Sequence, residues 1–230
     1  MINFDGLEKK LGIQFKNQKL LVQAFTHRSY LNENPSFGLG HNERLEFLGD
    51  AVLELVVTEY LYGRFSEKPE GELTALRAAL VNAEMLSDIG AELGMSEYLL
   101  LSRGEKKDTG RARSYILANA FEALIGALYL DHGYEVSAEF LKRVLFGHLE
   151  EVLEKKLWRD PKSVFQEEAQ DRLGITPNYR VLKEIGPDHQ KRFSVGVFLG
   201  AVFAAEGSGP SKQEAEVEAA EKALVAKGWQ

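Results

Sequence analysis

The stretch His41 to Val57, HNERLEFLGDAVLELVV, decides the fold of the chain around it. At about 100° of rotation per residue, a helix places Glu43, Glu46 and Asp50 within an arc of about 60°. Apolar packing residues occupy a different face: Leu45, Leu48, Val52 and Leu55. Like charges about 4 Å apart repel by about 1 kcal/mol per pair even in water. Three acids grouped on a packed helix therefore favour a bound cation, and their hard oxygen ligands suit Mg²⁺; the alternative is a solvated acidic face.

Composition limits the kind of protein and the kind of metal site. The length of 230 residues is enough for one large or two modest domains, and the hydrophobic fraction of 44% is enough for their cores. No apolar run approaches the roughly 20 residues of a membrane span, and the amino-terminal MINFDGLEKKLG lacks the order of a signal peptide. We therefore expect a cytoplasmic protein that makes no contact with a membrane. Without cysteine, and with five histidines that lack zinc-ligand spacing, any metal must be held by oxygen.

Charge argues against nucleic-acid binding when it is taken alone. The chain has a net charge of −7, and residues 160–230 carry 9 basic and 11 acidic residues. Affinity for a phosphate backbone comes largely from Lys and Arg. Any RNA contact must therefore depend on local clusters of basic residues.

Helical periodicity runs through the first 153 residues. Two short helices are predicted between Phe4 and Phe25, broken near Gly12 and with Asn17 capping the second, and residues 26–40 are predicted to form a loop. Further helices are predicted over residues 41–62, 72–81, 83–93, 114–131 and 136–153. A second loop, 63–71, contains Glu70.

The densest basic run, SRGEKKDTGRAR at 102–113, directly precedes a second acidic motif. Its position favours phosphate contacts by Arg103, Lys106 and Lys107 over a merely solubilising surface loop. In the helix that follows, Asn119 and Glu122 are three residues apart and share a face. If the two acid-bearing helices pack with these faces together, four oxygen-bearing side chains surround one point: Glu46, Asp50, Asn119 and Glu122.

Periodicity changes after Asp160. A helix over 163–173, strands over 179–185, 192–198 and 201–206, and a helix over 211–227 give the order α-β-β-β-α. The predicted fold class is therefore multidomain, with an all-α domain followed by an α+β domain.

Several motifs now identify a family. ERLEFLGDA, at 43–51, resembles the signature of the ribonuclease III family. AFTHRSY at 24–30, EGEL at 70–73 and LANAFEALIGALYLD at 117–131 resemble other blocks of that family, in the same order. PKSVFQEEAQ, GPDH at 186–189 and GSGPSK at 207–212 resemble a double-stranded-RNA-binding domain. The resemblance implies a ribonuclease III catalytic domain over 1–153, a linker over 154–160 and a double-stranded-RNA-binding domain over 161–230.

The implied activity is endonucleolytic hydrolysis of both strands of double-stranded RNA, leaving 5′-phosphate and 3′-hydroxyl ends, in the processing of rRNA and mRNA precursors. The implied cofactor is Mg²⁺, with Mn²⁺ as a substitute. By the same resemblance the metal ligands are Glu46, Asp50, Asn119 and Glu122, with Asp50 and Glu122 catalytic and Glu43 and Glu70 supporting the site and its water. Asn119 departs from the family, which usually has Asp there and thus one more negative charge.

The resemblance also implies partners. Relatives act as homodimers joined along the signature helix, and Phe47 is the predicted contact with the second subunit; the alternative is that Phe47 is a core residue. In the carboxy-terminal module, Gln166, Glu167 and His189 would face the minor grooves of an A-form duplex. Ser211 and Lys212, at a helix start, would face phosphate. Pro210 and Gln213 stand where bacterial relatives often carry Lys or Arg, so binding by this module alone is expected to be weak.

Two alternative functions belong to other classes of protein. An RNA-binding regulator could retain this fold and cleave poorly because of Asn119. A helical di-iron carboxylate protein would need Glu-x-x-His pairs on its helices, and the sequence has none.

Overall fold

A computed structural model describes residues 3–156, 158–187 and 191–229. The chain divides into two compact units, Met1–Trp158 and Arg159–Gln230, so the division falls inside the predicted linker. The first unit is helical in its described part. Its helices are α1 Asp5–Leu11, α2 Gln18–Ala24, α3 Arg28–Glu33, α4 Glu43–Arg64, α5 Glu70–Leu80, α6 Ala83–Glu92, α7 Arg111–His132, α8 Tyr134–Val144 and α9 Leu149–Glu154. No helix in the described ranges is both long and apolar enough to cross a membrane.

Helix α7 is the central element of the first unit. Its residues from Leu117 to Leu128 are buried, apart from Asn119 and Glu122, which are half-buried. A helix buried on nearly all sides belongs in the interior of a domain. The buried face of α4, which includes Leu45, Leu53 and Val57, belongs to the same hydrophobic core.

Local signals explain where the first helices begin and end. The predicted cap at Asn17 is confirmed, because its side chain accepts a hydrogen bond from the backbone N–H of Lys19. Gly12 ends α1 with φ at 67°, in the left-handed region that glycine enters without strain. The predicted break near Gly12 is therefore confirmed.

The predicted loop over 26–40 is wrong in part, because it contains the six-residue helix α3. The imidazole of His27 caps this helix by accepting a hydrogen bond from the N–H of Ser29. The Tyr30 ring packs edge-on against Phe37, with centroids 5.1 Å apart. These contacts override the loop-forming composition of the segment.

The predicted single helix over 136–153 is also wrong. It is two helices, α8 and α9, separated by a 3₁₀ turn at Phe146–His148. The turn allows the Phe146 ring to stack on Tyr60 of α4, with centroids 3.8 Å apart. Packing against α4 thus interrupts a segment whose periodicity alone favours continuity.

The second unit confirms the predicted α-β-β-β-α order. Helix α10, Pro161–Leu173, precedes the antiparallel strands β1 Pro177–Ile185, β2 Arg192–Leu199 and β3 Val202–Gly209, and α11, Lys212–Lys227, follows them. Strand β3 is longer than predicted because Gly207 and Gly209 continue the pairing with β2. A Cβ at Gly207 would lie 2.3 Å from the carbonyl oxygen of Ala215. These glycines therefore allow α11 to lie close against the sheet, and do not form a turn.

Candidate active site and RNA-contact surfaces

Two glycines bring the acid-bearing helices together. A Cβ at Gly49 of α4 would lie 1.7 Å from the carbonyl oxygen of Glu122, and a Cβ at Gly126 of α7 would lie 2.1 Å from that of Leu45. Only glycine at both positions permits this backbone-to-backbone contact. Asp50 follows Gly49 directly, so the crossing places acids of both helices in one region.

The electrostatics of Glu122 and Glu46 reflect this proximity. Burial raises the pKa of Glu122 to about 7, and the charges of Asp50 and Glu46 act in the same direction. Burial, Glu43 and Asp50 also raise the pKa of Glu46 above its ordinary value. Burial and the neighbouring negative charges both disfavour the ionised carboxylates. A cation bound among these acids would stabilise the ionised forms of Glu46 and Glu122.

The donor set is chemically suited to a hard divalent cation, although the side chains stand apart. Glu46, Asp50 and Glu122 offer carboxylate oxygens, and half-buried Asn119 offers an amide oxygen one turn before Glu122. Within residues 3–156, 158–187 and 191–229, no three His, Cys, Asp or Glu side chains are grouped closely enough to hold a metal ion. Mutual repulsion of like charges favours such separation. The residue types therefore fit Mg²⁺, and ligation would require these side chains to move closer together.

The two predicted supporting acids differ in their surroundings. The Glu43 carboxylate forms an ion pair with Arg28, at 3.3 Å, and lies 3.7 Å from Nδ1 of His41. Glu70 begins α5 and does not lie in a loop as predicted, and it accepts a hydrogen bond of 2.9 Å from the Thr74 hydroxyl. Among the described charges, Glu70 is not one that shifts the pKa of Glu46 or Glu122. Glu43 therefore acts on the pKa of Glu46, one turn along the same helix, whereas Glu70 acts on neither acid.

The basic run forms an exposed loop with a short 3₁₀ turn at Glu105–Lys107. Its three predicted RNA-contacting side chains are exposed: Arg103, Lys106 and Lys107. Arg113, the last cation of the run, is turned inward instead. It donates a hydrogen bond of 3.1 Å to the carbonyl of Ser96, and its second terminal nitrogen is buried without a partner. Arg113 therefore anchors the start of α7 and does not belong to the exposed basic surface.

Phe47 is 82% exposed, so the alternative that it is a core residue is wrong. Tyr62 of the same helix is also exposed, and so is Leu55, so its prediction as a packing residue is wrong. Their separations of eight and seven residues place all three within one arc of α4. Helix α4 therefore presents an apolar stripe to solvent beside its acidic face.

In the second unit, Gln166 and Glu167 are exposed on α10. The Ser211 hydroxyl caps α11 by accepting a hydrogen bond from the N–H of Glu214, so one of its acceptor positions is occupied. Lys212 pairs with Glu184 at 3.4 Å. Such exposed pairs contribute little stability, so a phosphate can compete for the ammonium group. His189 lies outside the described residues.

Comparison with known proteins agrees with this architecture. A family model described as "Ribonuclease-III-like" matches residues 17–149, and one described as "Double-stranded RNA binding motif" matches residues 161–225. "Ribonuclease 3" of Pelotomaculum thermopropionicum is 47% identical over 95% of this chain and 91% of its own length. The chain belongs to the ribonuclease III family. "Ribonuclease 3" of Carboxydothermus hydrogenoformans is 46% identical over 96% of this chain and 94% of its own length.

A solved structure supports the fold of the first unit. The nuclease domain of ribonuclease III from Campylobacter jejuni is 42% identical, with a TM-score of 0.57, over 62% of this chain and 95% of that one. The full-length relatives and both domain matches make this ribonuclease III family member an endoribonuclease specific for double-stranded RNA. The di-iron alternative is therefore wrong.

Three residues at the site of this ribonuclease III family member were not predicted from the sequence. Gly49 and Gly126 set the distance between α4 and α7, and Arg28 pairs with Glu43. A usable signal existed, because each glycine stands inside an acid-bearing motif on a helix, where glycine costs roughly 1 kcal/mol relative to alanine. A glycine retained there indicates close packing.

Proposed function

We propose that this chain hydrolyses both strands of double-stranded RNA in a Mg²⁺-dependent reaction that leaves 5′-phosphate and 3′-hydroxyl ends, in the processing of rRNA and mRNA precursors. Residues 1–153 would carry the catalytic site, 154–160 the linker and 161–230 a duplex-binding module. The observation that carries the proposal is the glycine crossing of α4 and α7, where burial, Asp50 and Glu46 raise the pKa of Glu122 to about 7. Such strongly coupled acids are typical of catalytic sites.

Four side chains would hold the metal: Glu46, Asp50, Asn119 and Glu122. Bound Mg²⁺, or Mn²⁺ in its place, would supply positive charge that activates the attacking water and stabilises the charge developing at phosphorus. Asp50 and Glu122 are the acids we assign to catalysis. They come from different helices, so the rigid crossing at Gly49 and Gly126 fixes their relative position.

Glu43 and Glu70 would support the site and its water. The ion pair of Glu43 with Arg28 holds its carboxylate on the side of α4 that carries Glu46. Glu70 stands at the start of α5, and its hydrogen bond from Thr74 orients its carboxylate. Both acids are exposed, so an RNA backbone can reach them.

RNA affinity would come from separate clusters, because the chain as a whole carries a net charge of −7. In the first unit the exposed side chains of Arg103, Lys106 and Lys107 would contact phosphates. In the second unit the contacts would come from Gln166, Glu167, His189, Ser211 and Lys212. Because few cations make these contacts, binding should be weak, and each phosphate contact should contribute about 0.9 to the slope of log affinity against log salt.

A homodimer would place one catalytic site against each strand. Phe47, exposed on the helix that carries the acids, is the proposed contact with the partner subunit. The exposed apolar stripe that continues to Leu55 and Tyr62 supports this choice. The similar nuclease domain from Campylobacter jejuni has a region involved in dimer formation, which supports a homodimer.

The test compares three nucleic acids of one sequence: a long RNA duplex, the single-stranded RNA and the DNA duplex. Each is incubated with the full chain in Mg²⁺, in Mn²⁺ or in EDTA. Only the RNA duplex should be cut, only with metal, and the fragments should ligate without prior treatment by a kinase. Cutting in EDTA, cutting of the DNA duplex, or fragments with 5′-hydroxyl ends would contradict the proposal.

A further inference from the structure

The segment Ala24–Tyr30 resembles a family block, and apart from Arg28, which pairs with Glu43, the proposed reaction assigns it no role. One side of it fixes the start of the acidic helix. The carbonyl of Thr26 accepts a hydrogen bond of 2.9 Å from the N–H of Asn42, and the Asn42 side chain donates one of 3.2 Å to the carbonyl of Ala24. Asn42 is buried and immediately precedes Glu43. The segment thus sets the position at which the acidic helix begins.

The other side of the segment holds the strand-like stretch that leads into the basic loop. The N–H of His27 donates to the carbonyl of Leu100 at 3.1 Å, and the N–H of Leu100 donates to the carbonyl of Phe25 at 2.8 Å. Next along the chain, the N–H of Ser102 donates to the hydroxyl oxygen of Ser29 at 3.1 Å. That hydroxyl in turn lies 2.8 Å from Nδ1 of His27.

The direction of the last hydrogen bond follows from its neighbours. Nδ1 of His27 already accepts a hydrogen bond from the N–H of Ser29, so this nitrogen carries no proton and the Ser29 hydroxyl donates to it. Burial lowers the pKa of His27, which keeps the ring neutral and able to accept. The Ser29 hydroxyl oxygen is therefore oriented with a lone pair toward Ser102.

Ser102 then builds the basic turn. Its hydroxyl accepts from the N–H of Glu105 at 3.3 Å, and its carbonyl accepts from the N–H of Lys106 at 3.1 Å. A second attachment comes from α3, because the Glu33 carboxylate accepts from the N–H of Arg103 at 3.2 Å and 3.3 Å. The basic turn is thus hydrogen-bonded, through Ser102 and Ser29, to the same segment that positions the acidic helix.

We propose that Ser29 is a positioning residue for RNA: its hydroxyl holds Ser102, and through it the turn bearing Lys106 and Lys107, at a fixed distance from the acidic helix. The inference rests on the proposed phosphate contacts of those lysines. Without the Ser29 hydroxyl the turn keeps its own internal hydrogen bonds and its attachment to Glu33, but loses the attachment at Ser102. The lysines then contact phosphate from a mobile turn, and the cost of ordering that turn on binding weakens the affinity for RNA.

The experiment measures duplex binding by the full chain over a range of salt concentrations, together with KM and kcat in Mg²⁺. The variants are Ser29→Ala, Ser29→Thr, the double variant Lys106→Ala/Lys107→Ala, and the combination of Ser29→Ala with both lysine changes. The matched control is Ser66→Ala, since Ser66 is an exposed serine in a different loop. The RNA probe is one duplex with a single cleavage site.

Loss of one anchoring hydrogen bond should raise KM and Kd for Ser29→Ala about fivefold, with a much smaller change in kcat. The slope of log Kd against log salt should fall by about 1, the value expected for one lost phosphate contact. Ser29→Thr, which retains the hydroxyl, should restore both quantities. In the lysine-free background, Ser29→Ala should add nothing, because the contacts that it positions are already absent.

Two results separate failure of the inference from failure of the proposed function. If the lysine variant binds weakly but Ser29→Ala matches Ser66→Ala, or if the Ser29 and lysine effects add in full, the positioning role is wrong and the RNA contacts stand. If the lysine variant binds as tightly as the unmodified chain, the proposed RNA contacts are wrong and the inference falls with them.

Discussion

Replacing Gly49 by alanine tests the helix crossing on which the candidate site depends. The added methyl group would lie 1.7 Å from the carbonyl oxygen of Glu122 and 2.8 Å from the backbone nitrogen of Gly126. Ordinary contact begins at 3.4 Å, and the obstructing atoms are backbone atoms that no rotamer change can move aside. The two helices must therefore separate by about 1.5 Å at this point, and a gap of that order forfeits much of the dispersion energy between facing side chains.

The expected cost is at the upper end for overpacked cores, about 3 kcal/mol. This value is a net cost, since alanine is favoured over glycine in a helix by about 1 kcal/mol. With about 2–4 °C per kcal/mol for a protein of this size, the melting temperature should fall by roughly 6–12 °C. Glu122 should also move away from Asp50, so cleavage should fall even at temperatures where the variant is fully folded.

Gly63→Ala is the matched control, because Gly63 lies in the same helix and a Cβ there meets nothing within 4 Å. It should stabilise the chain by about 0.5–1 kcal/mol. Urea unfolding followed by circular dichroism at low temperature, with cleavage assays on the same samples, measures both effects. Equal stability of the Gly49→Ala and Gly63→Ala variants would refute the close crossing.

Three further predictions concern charge, metal and assembly. Glu122→Gln removes one of the clustered negative charges, so in EDTA it should raise the free energy of unfolding by about 1 kcal/mol. Added Mg²⁺ should raise the melting temperature of the unmodified chain but not that of the variant. If Mg²⁺ stabilises both equally, Glu122 is not a metal ligand. Asn119→Asp adds a full charge where an amide supplies a dipole, so it should lower the Mg²⁺ concentration at half-maximal cleavage with a similar or higher saturated rate. Coinciding midpoints would show that Asn119 is not a ligand, and an inert parent activated by the change would favour the RNA-binding regulator. Phe47→Ala should shift the chain from dimer to monomer in sedimentation, with Phe203→Ala, an exposed aromatic in the second unit, as the control; a dimer that persists in both variants would exclude Phe47 as the contact.

Patterns with a local cause could be predicted from the sequence. The faces that carry Glu46, Asp50 and Glu122 could be predicted within two helical motifs, because residues three and four apart share a helix face. The cap at Asn17 and the α-β-β-β-α order could also be predicted, because helix capping and the alternation of side chains in strands depend on only a few neighbouring residues.

Features with a long-range cause were not predictable. Helix α3 depends on the Tyr30–Phe37 contact and on His27 as a cap, and the break before α9 depends on the stacking of Phe146 on Tyr60. The inward turn of Arg113 depends on the carbonyl of Ser96, 17 residues away. In each case a contact formed in the folded chain decides the outcome, and a periodicity argument does not include that contact.

Single-turnover cleavage of an end-labelled RNA duplex by the unmodified chain and by Glu122→Gln, each with the duplex fully bound, tests the central claim most directly. Glu92→Gln is the control, since Glu92 is an exposed glutamate at the end of α6. Because metal coordination supplies several kcal/mol of transition-state stabilisation, Glu122→Gln should bind the duplex with unchanged Kd and cut it at least about a hundredfold more slowly in Mg²⁺. Cleavage by Glu122→Gln at the rate of Glu92→Gln would contradict the assignment of the α4–α7 crossing as the catalytic site.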